Sequence, residues 1–268
     1  MTTLNLRRNT PRDLNELIRS APSEDVVLTD DHRRSLSARF RAVLSTDHRR
    51  LDAWSVERAG TPSSTFRWSP ATARRLLGNA ALRRLVHDPE CTPSEAVAYE
   101  IDDQLLRCAS GQARAGSLAS WLASLRASER ALVCAEASNW VSQIVEIAQG
   151  LEYEWRVAMS DAYYDVARAR TSLRARRDLD VALDEGRVVL RVRSGSPGKS
   201  AGPGLRSDLT IDTLANDHGV APRRFIGVWP EAGVALSVDG TMADLRAGAR
   251  DLVRTAFVQE RRRLQKAA

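Results

Sequence analysis

Two carboxylates and two guanidiniums fall at alternate positions of neighbouring predicted strands. Asp178 and Asp180 lie in residues 171–184, and Arg191 and Arg193 lie in residues 187–194. Side chains along a strand alternate between its faces, so residues two apart share one. The intervening Asp184-Glu185-Gly186 reads as a hairpin turn. All four side chains can therefore meet on one face of one hairpin. Asp180 and Arg191 could form a cross-strand ion pair, a common device in sheets. Alternatively, the guanidiniums, with Arg176 and Arg177 upstream, could hold a phosphate backbone by paired hydrogen bonds. Neither Arg191 nor Arg193 is suited to accept a proton, because a guanidinium stays charged.

Other chemistry-bearing residues lack the spacing that their chemistry requires. Gly198-Lys199-Ser200 stands between a predicted strand and a predicted helix, as a phosphate-binding loop does. The earlier glycine of that pattern falls on Arg193. The run Ala201-Gly202-Pro203-Gly204 is expected to hold the helix back to Leu205, so no nucleotide cofactor is expected. His32, His48, His87 and His218 show no metal-binding spacing. Cys91, Cys108 and Cys134 are far apart and odd in number, which suits reduced thiols better than zinc or disulfides. Ser117, Ser120 and Ser124 have no Gly-x-Ser-x-Gly setting for a nucleophile.

The elements that must position these residues follow from periodicity and punctuation. Residues 1–22 are polar, with room for one helix and a linker. Residues 30–45 read as a helix behind Thr29 or Asp30, with Leu36, Phe40 and Leu44 at helical spacing. Residues 58–64 are rich in Gly, Thr, Pro and Ser and mark a boundary. Ser69-Pro70 and Thr92-Pro93-Ser94-Glu95 are helix starts, since proline suits the first helical position. Further helices are predicted over 117–125 and 128–148. Strands are predicted over 151–159, 171–184 and 187–194. A helix over 205–216, strands over 224–229 and 234–238, and a helix over 241–265 complete the chain. The helix between the third and fourth strands permits a parallel crossover and a mixed sheet.

The order helix, three strands, helix, strand over the second half resembles the core of the PD-(D/E)XK nucleases. It does so on Glu136, on Leu179-Asp180 and on the run Leu190-Arg191-Val192-Arg193-Ser194-Gly195. In that family the second strand offers an aspartate to a divalent metal. The third offers an acid and, two residues later, a lysine. The resemblance thus implies Asp180 as the metal-binding aspartate and Glu136 as the helical acid, with Asp178 a further carboxylate nearby. Arg191 stands where the second acid belongs, and Arg193 replaces the lysine. Magnesium requires hard oxygen ligands, and an adjacent guanidinium supplies none. A second likeness is Trp68-Ser69-Pro70-Ala71, similar to the helix start near the front of RecB-family nuclease domains. The iron–sulfur members carry a Cys-Pro pair further on. Gly78-Asn79-Ala80-Ala81 stands here, so no cluster is implied. The family's Gln and Tyr after the third strand are absent from residues 208–216.

The 268 residues suffice for one large domain or two small ones, and 43% hydrophobic content can build a core. The net charge of +6 is carried almost wholly by arginine, Lys199 and Lys266 being the only lysines. That balance favours acidic partners such as nucleic acid. No apolar run reaches the length of a membrane span and no apolar segment follows the polar start, so a cytoplasmic location and no membrane contact are expected. The expected fold is α/β (α+β): a helical first half, then a restriction-endonuclease-like mixed sheet flanked by helices. Its divisions are residues 1–60 and 61–268, with the nuclease-like core over about 127–268. The expected function is that of a catalytically degenerate nuclease-like protein binding DNA or a DNA-processing partner, with no cofactor. One alternative is an active magnesium-dependent nuclease built on Glu136, Asp178 and Asp180, with Asp180 on the metal. The other is a regulatory or structural protein partner that never touches nucleic acid.

Overall fold

The computed structural model describes residues 2–5, 10–43, 68, 70–88, 90–158, 161–166 and 171–267. The chain is mixed α/β, with helices in its first half and most of the sheet later. It forms two compact units, one of Met1–Arg58 with Gly150–Ala268 and one of Ala59–Gln149. The first unit opens with β1 (Thr2–Asn5), α1 (Thr10–Arg19) and α2 (Asp30–Val43). The second unit is helical: α3 (Pro70–His87), α4 (Pro93–Ala109), α5 (Leu118–Ser124) and α6 (Ala127–Gln149). The first unit then resumes with β2 (Trp155–Val157), β3 (Ala162–Val166), β4 (Thr171–Ala175), β5 (Leu179–Ala182) and β6 (Arg187–Val192). It ends with α7 (Ala201–Ala215), β7 (Arg224–Trp229), β8 (Val234–Asp239) and α8 (Met242–Ala267).

Local chemistry accounts for the helix boundaries of the second unit. Thr92 caps α4 in a reciprocal arrangement: its Oγ1 accepts the Glu95 N–H at 3.3 Å, and the Glu95 carboxylate accepts the Thr92 N–H at 2.8 Å. Ser117 caps α5 by accepting the Ser120 N–H. At α6 the same service is given by Glu129, whose carboxylate takes the N–H of Arg126. Ser128, where the predicted helix begins, therefore lies inside the first turn. The core of this unit includes Leu77, Val97, Leu122, Trp140 and Val141, all buried. Ser69 and the stretch 44–67, which holds the predicted boundary, lie outside the described residues.

In the first unit six strands form one mixed sheet in the order β1-β8-β7-β6-β5-β2, and β3 pairs with β4 in a separate two-stranded sheet. The pair β6–β7 is parallel and is joined through α7; the other neighbours are antiparallel. Val189, Phe225, Trp229, Leu236 and Val238 on one face pack with Leu205, Leu209 and Leu214 of α7 and Leu245 and Leu252 of α8. Toward α1, Arg224 of β7 donates to the Leu17 and Ser20 carbonyls and to Ser20 Oγ, while its Nε holds Asp239 at 2.6 Å.

Three expectations are corrected. Residues 2–5 form an edge strand on β8, where a helix or linker was expected; four residues are too few to show a period, and pairing with β8 decides. The predicted strand 171–184 is two strands, broken over Arg176, Arg177 and Asp178, and its first half pairs with β3, which no predicted strand covers. Finally, α7 begins at Ala201, four residues earlier than expected. Amides of a first helical turn have no intrahelical acceptor, so Pro203 costs nothing there.

Candidate functional site

The register of β5 and β6 sets the site. Asp180 stands opposite Val189, and Ala182 stands opposite Arg187. Arg187, Val189 and Arg191 alternate with the apolar positions of β6, so Asp180 and Arg191 share a face of the sheet, as the hairpin pattern predicts. The same face receives α7. Asp208 and Asp212 lie four residues apart on that helix, one turn from each other, and both are buried.

The pairing is not the one read from the strands alone. Arg187 Nη1 donates to Asp180 Oδ1 at 3.0 Å, and its Nη2 donates to Asp212 Oδ2. Arg177 Nη1 lies 3.5 Å from Asp212 Oδ1 and 4.0 Å from Asp180 Oδ2. Arg191 donates to Asp208 Oδ2. The expected Asp180–Arg191 ion pair is thus replaced by two others. The reason is that α7 brings carboxylates to a face that the strand pattern alone leaves cationic. Asp178 does structural work: its Oδ2 accepts the N–H of Val192 at 2.7 Å and extends the β5–β6 ladder. Arg193 lies with its guanidinium carbon 5.3 Å from the Trp229 ring centroid. Arg176 is exposed at the break between β4 and β5. Glu136 lies on α6, which belongs to the helical unit, whereas the strands and α7 belong to the other.

Burial sets the electrostatics. Asp212 is 1% and Asp208 8% exposed. Loss of water pushes both carboxyls above the usual range, against the pull of Arg191 on Asp208 and of Arg187 and Arg177 on Asp212. Burial lowers the affinity of Arg193 for its proton, helped by the like charge of Arg191 and opposed by Asp208 and Asp178. The outer end of the network opens into a cleft of about 440 Å³ lined by Asp161, Tyr163, Arg177, Arg187, Asp212 and His218. Asp161 there is held by Arg174 at 3.0 Å.

These donors do not fit a magnesium ion. Octahedral coordination needs carboxylate oxygens that are free to face the cation. One oxygen of Asp180 carries the Arg187 hydrogen bond, and the other is approached by Arg177. Asp208 and Asp212 are likewise engaged. Among the described residues no three His, Cys, Asp or Glu side chains are grouped as ligands.

At the Gly198-Lys199-Ser200 turn, α7 does follow at once. Ser200 makes no capping bond with its side chain, and the nearby Gly195 N–H is taken by Glu231 at 2.7 Å. A carboxylate therefore occupies an amide of the loop that precedes α7.

Sequence reasoning missed Arg187, Asp208 and Asp212. A signal was present for the acids. They interrupt the apolar series Leu205, Leu209, Leu214 on the inward side of α7, where an acid is costly unless it is paired. Among the described residues no helix is long and apolar enough to cross a membrane. No protein-family model matches the chain, and no curated protein matches it either.

Proposed function

We propose that this chain is a nuclease-like protein of the PD-(D/E)XK kind that no longer cuts, and that it acts by binding DNA. Two features support the nuclease-like part. With the separate β3–β4 pair set aside as an insertion between β2 and β5, the elements α6, β2, β5, β6, α7 and β7 follow the helix–three strands–helix–strand order of that core. Asp180 and Arg191 also share the face on which such a site would stand. The observation that carries the loss of catalysis is the pairing of Asp180, Asp208 and Asp212 with guanidiniums. A cation entering there would have to displace an arginine from each carboxylate it used, in a setting where burial already disfavours charge. The arginine-rich composition and net charge of +6 support an acidic partner.

A plasmid-nicking assay with Mg²⁺ and with Mn²⁺ tests the first part, with Asp180→Ala alongside. The expected result is no metal-dependent cleavage in either protein. Cleavage by the wild type that disappears in the variant would overturn it. Fluorescence anisotropy with labelled DNA tests the second. Binding is expected to weaken steeply with salt, because each neutralised phosphate releases counterions. No binding at low salt would remove the DNA reading and leave a protein of DNA processing as the target.

A further inference from the structure

Arg177, Arg187 and Arg191 of the Asp180 face are committed to carboxylates and Arg193 lies against Trp229, so the nucleic-acid surface lies elsewhere on the first unit. The strongest candidate is a hollow of about 340 Å³ between α2 and α8, lined by Arg39, Arg250, Val253, Arg254 and Phe257. The four α8 residues are spaced i, i+3, i+4 and i+7, which puts them on one stripe of the helix. Arg246 extends the stripe by one more turn. Arg246, Arg250 and Arg254 therefore recur about every 6 Å along the axis.

Charge along this stripe is uncompensated. Arg39, Arg246, Arg250 and Arg254 are exposed, and none has a hydrogen-bond or ion-pair partner among the described residues. Two acids of the same helix are used elsewhere: Asp251 is held by Arg206 at 2.9 Å, and Asp244 accepts from Thr241. Stacked like charges at i, i+4 destabilise a helix, and an ordinary solvated face mixes its signs. Among these cations Phe257 stands 54% exposed, while Val253 beside it is half-buried against the core.

We infer that the α2–α8 hollow binds single-stranded nucleic acid, with Arg39, Arg246, Arg250 and Arg254 on the phosphates and Phe257 stacked on an unpaired base. This rests on the nucleic-acid reading above and moves it to a different surface. Single strands are read by cationic tracks interleaved with aromatic faces, whereas a duplex keeps its base faces covered. An acidic amphipathic peptide suits the hollow less well. Such a helix needs a continuous apolar groove, and among the described lining residues only Val253 and Phe257 are apolar.

The test is anisotropy with a labelled oligothymidine and with a duplex of equal length, over a salt series. The wild type is expected to prefer the single strand. Arg250→Glu with Arg254→Glu should weaken that binding at least tenfold and flatten the log–log salt slope by about 1.4, roughly 0.7 for each lost phosphate contact. Arg250→Lys with Arg254→Lys should keep most of it. Phe257→Ala should weaken it roughly tenfold with the slope unchanged. All these positions are exposed, and circular dichroism checks that each variant is folded. Wild-type binding that the glutamate pair and Phe257→Ala leave intact would overturn this surface while sparing the DNA reading. Preference for the duplex, with no effect of Phe257→Ala, would overturn the single-strand assignment. No binding of either probe by the wild type would overturn both.

Discussion

Arg187 is the residue on which the charged face turns. It is 21% exposed as a side chain and spans two carboxylates, one of them with no exposure at all. Removing one partner of a buried pair leaves the other uncompensated. Arg187→Ala should therefore cost about 3–5 kcal/mol at neutral pH, read by urea unfolding. The loss should be smaller in acid, where the buried Asp212 can take a proton instead. A cost within ordinary surface scatter at neutral pH would contradict the bridging role. The pH response of Asp208 and Asp212 has the opposite sign to usual acid unfolding. Their ordinary value is 3.8, and burial raises it in the fold. The folded chain then holds protons that the unfolded chain has released. Stability from these two groups is complete below their ordinary value and is lost as pH rises through the raised one. Compared with Asp208→Asn/Asp212→Asn, the wild type should lose relative Tm as the pH climbs above about 4; a gain would refute it. At this scale the sequence was half legible. The alternation of Asp178, Asp180, Arg191 and Arg193 places them by a period of two. Which acid meets which arginine depends on where α7 lands, and no local pattern contains that.

Among the elements, helices were easier to read than strands, for a physical reason. Thr92-Pro93-Ser94-Glu95 carries its own capping bonds within four residues, so α4 can be placed from sequence. Strands β4 and β5 could not be separated. Leu173 and Ala175 face the α7 core, while Leu179 and Val181 lie on the other side of the large sheet from Asp180. All four keep odd numbers, so the period of two runs unbroken through a change of sheet. Helix packing gives a prediction of its own at Gly78 of α3. A Cβ there would lie 2.4 Å from Cε3 and Cζ3 of the Trp140 ring on α6 and 3.3 Å from Val141 Cγ2. Alanine in an open helix gains about 1 kcal/mol over glycine, but overpacking a well-filled core costs about 1–3 kcal/mol. Gly78→Ala should thus destabilise the helical unit despite its better helix propensity, with an earlier urea midpoint in tryptophan fluorescence. A later midpoint would mean that the ring yields. The approach of α8 to α7 at Gly248 is as tight, with Arg206 O and Thr210 Oγ1 each 2.2 Å from a built Cβ.

For the whole molecule, the chain is interleaved. The first unit gives its opening residues, breaks off for the helical unit Ala59–Gln149, and then resumes. Composition could not reveal this, because both halves share the same arginine-rich, alanine-rich character. Only the shift from a period near four to a period of two after residue 150 marks the return to the sheet. The order β1-β8-β7-β6-β5-β2 carries a further consequence. Thr2 is bonded beside Ser237, and Asn5 beside Val234. During synthesis β1 stays unmatched until β8 has emerged, and contacts so distant in sequence are slow to close. Until then β8 has a raw margin of unmet amides and carbonyls, the kind of margin along which two copies can stitch together. The short opening strand thus acts as a late seal, and shaving it off would trade a closed margin for clumping.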